Sequence, residues 1–92
     1  MEIDNLIVAL EKTLSFLRQS ESSNWAGLSC EEVIKQLEVE MNKARNSQVV
    51  DLHKLGYLYA PTGSIQEISI DNGWGNEFLE MSKIIDSYTT TK

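Results

Sequence analysis

The chain has 92 residues, a length that buries one modest core and leaves no room to enclose a large cofactor as well. Hydrophobic residues at 41% and charged residues at 24% are the proportions of a folded chain, which excludes general disorder and points to a single domain over residues 1–92. Fourteen Asp and Glu against eight Lys and Arg give a net charge of -6, which disfavours nucleic acid and anionic membrane surfaces and favours basic proteins as partners.

The first predicted element is a helix from about Asp4 to Gln19. Ile3, Leu6, Ile7, Leu10, Leu14 and Leu17 recur at helical spacing, and Asp4 or Asn5 is placed to cap the start. Small polar residues from Ser20 to Asn24 break the pattern, and Trp25 follows in the turn, where it either plugs the end of the bundle or is offered to a partner. A second helix opens at Ser29. Ser29 and Glu32 have the spacing of a capping box, Leu28 and Val33 that of a hydrophobic staple. Val33, Ile34, Leu37, Met41 and Ala44 form its buried stripe, and Asn46 and Ser47 end it.

Val49, Val50, Leu52, Leu55 and Leu58 suit a short third helix broken at Gly56, although Leu55, Tyr57 and Tyr59 also alternate as a strand would. Ala60-Pro61-Thr62-Gly63 signals a turn. Beyond it Ser64 and Glu67 repeat the capping-box spacing while Ile68 and Ile70 alternate. The reading taken is a short helical turn after Ser64, with a hairpin pairing residues 56–60 with 65–70 as the alternative. Asp71-Asn72-Gly73 marks another turn. The last helix runs from about Asn76 to Tyr88, with Trp74, Phe78, Met81, Ile85 and Tyr88 on one face, and Thr89 to Lys92 fray. The expected fold is all-α, a small antiparallel bundle of three to four helices.

Cys30 is the only cysteine, which fits a reducing compartment and not a small secreted scaffold. The first ten residues carry Glu2 and Asp4 where a signal peptide would be basic, and no run approaches the ~20 apolar residues of a membrane span. A cytoplasmic protein is expected.

Chemistry has few residues to work with. His53 is the only histidine, and a Cys30–His53 pair lacks the glycine-rich turn or orienting group of a nucleophilic site. One His and one Cys cannot build a structural zinc site. If Gly73 were the glycine of a calcium loop, Ile68 and Ile70 would stand at ligand positions. Gly73-Trp74-Gly75 precedes a helix without a basic residue to help hold phosphate. Glu77 and Glu80 have acid–base spacing but read as a solvated helix face. No enzymatic activity, metal or cofactor is expected.

The most informative stretch is Leu55 to Ser82. It holds Glu67, Asp71, Glu77 and Glu80, with no Lys or Arg, beside Tyr57, Tyr59 and Trp74. Carboxylates steer and register a basic partner, and rings anchor it. These seven residues are the candidate partner-binding set, with the aromatics equally readable as core.

The run Leu58-Tyr59-Ala60-Pro61-Thr62-Gly63-Ser64-Ile65-Gln66-Glu67-Ile68-Ser69, then Asp71-Asn72-Gly73-Trp74, resembles a diffuse group of short bacterial proteins with two leading helices, a Gly-Ser-x-x-acid segment and a closing helix. Some proteins of this character belong to toxin-immunity systems, including contact-dependent inhibition and related polymorphic toxins. The resemblance implies an immunity protein that binds a basic toxin domain, often a nuclease, and blocks its active site. It carries over no binding residue. The alternative is a small structural or regulatory module that homo-oligomerises through its helices; partner identity and oligomeric state stay open at this point.

Overall fold

The computed structural model describes residues 3–21, 29–60 and 63–89. Its elements are five helices in chain order: α1 (Ile3–Arg18), α2 (Cys30–Arg45), α3 (Leu52–Leu58), α4 (Ser64–Asp71) and α5 (Gly75–Thr89). The all-α class is as expected, with five helices among the described residues in place of three to four. No strand occurs among the described residues, so the 56–70 hairpin does not form.

Amphipathic spacing dictates α1, whose Leu6, Leu10, Leu14 and Leu17 are all buried. It begins at Ile3, so Asp4 and Asn5 lie in its first turn and not before it. Helix α2 starts as its punctuation demands. The Ser29 hydroxyl accepts from the Glu32 N–H, and the Ser29 N–H donates to Glu32 Oε1 at 3.1 Å. The staple residue Leu28 and the turn residue Trp25 lie outside the described residues. At the other end Gln48 N–H donates to Lys43 O and Ser47 N–H to Ala44 O, a Schellman closure with Ser47 at φ 59°.

Asp51 caps α3, accepting from the Lys54 N–H at 3.0 Å. That bond and the neighbouring Lys54, Lys43 and His53 hold its carboxyl below the usual range. Gly56 does not break the helix, which continues to Leu58. Leu55, Leu58 and Tyr59 all turn into the core, a helical spacing and not an alternating one. Helix α4 is longer than a single turn, and its N-cap is Gly63 and not Ser64, so the Ser64–Glu67 capping box is not made. Gly63 is held where a Cβ would meet the carbonyl oxygens of Tyr57, Leu58 and Ala60 at 3.1 Å. The Asp71-Asn72-Gly73 turn is a second Schellman closure: Gly73, at φ 83°, donates to Ile70 O, and Trp74 N–H donates to Ser69 O.

Helix α1 packs most extensively on α2 and α5, while α3 and α4 lie on α5 and α4 also reaches α2. Both long neighbours run antiparallel to α1. On one flank Glu11 pairs with Arg45 and Arg18 with Glu38. On the other Thr13 meets Met81 while Phe16 meets Trp74. The core between them joins the leucines of α1 to Val33 and Leu37, Leu55 and Leu58, Ile65 and Ile68, and Phe78 and Ile85. No described helix is long and apolar enough to cross a membrane.

Candidate protein-binding site

Of the seven residues singled out from the sequence, two are structural. Trp74 is only 4% exposed and Tyr59 only 1%. The Trp74 ring stacks on Phe16 with centroids 4.9 Å apart, and its indole N–H donates to Ser20 Oγ at 2.8 Å. Beside it Asn72 donates to Glu21 O and accepts from the Glu21 N–H, so the end of α1 is tied to the turn before α5. Tyr59 stacks on Phe78, and its hydroxyl donates to Thr13 Oγ1 at 2.7 Å, which in turn donates to Ala9 O. Burial pushes the Tyr59 phenol well above its ordinary pKa, partly offset by the Thr13 bond. These rings are buried for packing.

The other five are accessible in different degrees. Tyr57 projects from α3 at 70% exposure, Glu67 is half-buried on α4, Asp71 is exposed at its end, and Glu77 and Glu80 are exposed on α5. Glu77 and Glu80 share a concavity. It is a groove of about 320 Å³ between α1 and α5, bounded by Val8, Ala9, Lys12, Ser15 and Phe16 from one helix and Glu77, Glu80, Met81 and Ile84 from the other. Ala9 and Met81 are buried at its floor, and Val8 stands 45% exposed on its wall. A smaller hollow of about 200 Å³ continues past Phe16 and Glu77 to Ser20, Asn72 and Trp74.

Charge is segregated across the molecule. The four ion pairs among the described residues join Arg18 to Glu38, Arg45 to Glu11, and Lys43 and Lys54 to Glu40, all on α1, α2 and α3. Among the described residues Glu67, Asp71, Glu77 and Glu80 make no ion pair. Lys83 is the only cation on α4 and α5. The groove therefore offers an apolar floor, two uncompensated carboxylates on the α5 rim and Lys12 on the α1 rim. That combination suits binding by burial and charge. In three comparisons, no protein-family model, curated protein or solved structure matches the chain.

The remaining pairings are not brought together. Cys30 is buried at the start of α2, whereas His53 is exposed on α3, next to Asp51. The Asp51 N–H donates to Glu40, and Cys30 lies ten residues, about 15 Å, back toward the start of α2. Among the described residues no three His, Cys, Asp or Glu side chains are placed to hold a metal.

Sequence reasoning missed the α1 half of the groove and the carboxylate of Glu40, which is wholly buried. Glu40 carried a signal: it continues the buried spacing of Val33, Leu37 and Ala44, with Lys43 three residues on. Val8, Lys12 and Ser15 carried none, because nothing local tells which flank of α1 faces α5.

Proposed function

We propose that this protein is a binding module for a basic protein partner, and that it acts as an immunity protein, neutralising a cognate basic toxin domain by covering its active site. The observation that carries the reading is the segregation of charge: the described ion pairs lie on α1–α3, and Glu67, Asp71, Glu77 and Glu80 are left without one among the described residues. Unpaired carboxylates beside an apolar groove speed the encounter with a basic surface and fix its register. Inhibition by occlusion asks for shape and charge complementarity, with no reacting group of the inhibitor's own.

The test is to mix the chain with the product of the gene beside its own and to follow affinity and association rate against salt. Association slows by about tenfold between low and physiological ionic strength. Reversing both Glu77 and Glu80 to Lys weakens the complex without unfolding the chain, since both side chains are exposed. In cells, co-expression relieves the toxicity of that product. No complex at low salt, or a complex indifferent to the double reversal, overturns the proposal.

A further inference from the structure

We propose that the groove between α1 and α5 receives an amphipathic helix of the basic partner, its apolar stripe on Val8, Phe16 and Ile84 above the buried Ala9 and Met81, and its basic edge on Glu77 and Glu80. This rests on the binding-module reading and adds to it the form of the element that is bound.

The dimensions point to a helix. Val8 and Phe16 mark the groove's extent along α1, eight residues or about 12 Å, and Glu77 to Ile84 span a similar length of α5. Two helical turns fit that length, presenting side chains at i, i+3 or i+4, and i+7. A volume of about 320 Å³ takes a few aliphatic side chains and not a folded body. On its inner side the α1–α5 seam is closed by Tyr59, whose hydroxyl reaches Thr13. Its outer side is left open among the described residues, with Val8 45% exposed and Ile84 only partly covered.

The rims set the polarity of the occupant. Glu77 and Glu80 stand on the α5 side and Lys12 on the α1 side, none of them in an ion pair among the described residues. A bound helix therefore turns its Lys or Arg toward α5 and a polar or acidic edge toward α1. Charge disfavours a second copy of this chain. A two-fold contact through this face would set four carboxylates against two ammonium groups, counting Glu77, Glu80 and Lys12 from each protomer.

The experiment titrates the isotope-labelled full chain with three synthetic peptides and follows backbone amide shifts. One peptide places Leu and Lys at helical spacing, the second scrambles their order, and the third replaces every Lys by Glu. The ordered Leu/Lys peptide shifts Val8 to Phe16 and Glu77 to Ile84 and binds about tenfold tighter than the scrambled one, the effect of burying two or three partly exposed side chains. The Leu/Glu peptide leaves the groove unshifted. Changing Val8 and Ile84 to Ser brings the ordered peptide down to the scrambled peptide's affinity and leaves the latter unchanged. If that double variant loses its dispersed spectrum, Val8→Ser alone gives the same comparison on an already exposed residue.

Equal affinity for ordered and scrambled peptides overturns the groove and leaves the acidic face standing. Groove shifts that track protein concentration without peptide assign the site to a second copy and overturn it too. Binding by neither peptide also overturns the helix proposal, while the binding-module reading is then judged by the protein mixing alone.

Discussion

Glu40 occupies a core position of α2 and is the residue on which three segments converge. Its Oε1 accepts from the Asp51 N–H at 2.7 Å, while Oε2 accepts from Lys43 at 3.3 Å and faces Lys54 at 3.8 Å. A buried carboxylate is tolerated only with such partners, and removing it leaves the Asp51 N–H without its acceptor and two partly exposed lysines without their counter-charge. Glu40→Ala should cost about 2–4 kcal/mol in chemical denaturation. Glu40→Gln, which keeps an acceptor for Asp51, should cost less. Tyr59 supplies a pH dependence of known sign. Its phenol is held protonated by burial, whereas in the unfolded chain it ionises near the ordinary value of about 10. Below that pH both states are protonated and the full stability is present. Above it only the unfolded state loses the proton, so stability falls as pH rises, by about 1.4 kcal/mol per unit while the folded phenol stays protonated. Tyr59→Phe should flatten that alkaline limb in denaturation curves run from neutral pH upward. At neutral pH its cost is about 1 kcal/mol, for one lost hydrogen bond.

The glycines show how differently two helices use the same residue. Gly63 is pressed against three carbonyl oxygens at 3.1 Å, backbone atoms that cannot step aside, so Gly63→Ala should destabilise by about 1–3 kcal/mol. Gly56 lies inside α3 with nothing within 4 Å of the point where an added methyl would sit, so Gly56→Ala should stabilise by about 0.8–1 kcal/mol. Thermal melts of the two variants should therefore move in opposite directions. This middle region was also the least legible in the sequence. Leu55, Tyr57 and Tyr59 fit a strand and Leu55 and Leu58 a helix, and over so few residues the two periods cannot be separated. Packing separates them, since Leu58 and Tyr59 are adjacent in sequence and both buried. By contrast the start of α2 was legible, because a capping box is local chemistry that the sequence spells out. The matching spacing at Ser64 and Glu67 misled, since Gly63 takes the cap position.

Across the whole molecule, the regional acidity was readable as composition, and the structure adds that four of the eight basic residues, Arg18, Lys43, Arg45 and Lys54, are engaged elsewhere, on α1–α3. The groove was half legible. Glu77 and Glu80 announce themselves as charges, but the wall opposite comes from α1, more than sixty positions away in the chain. The same distance hid the fate of Trp74, whose ring is claimed by Phe16 and Ser20. That stack has a use beyond holding α1 to α5. Phe16 has one face on the indole and also lines the groove, so whatever enters the groove alters the surroundings of a chromophore the protein already carries. Filling of the proposed site should therefore change the native fluorescence of Trp74, a readout of binding that needs no label.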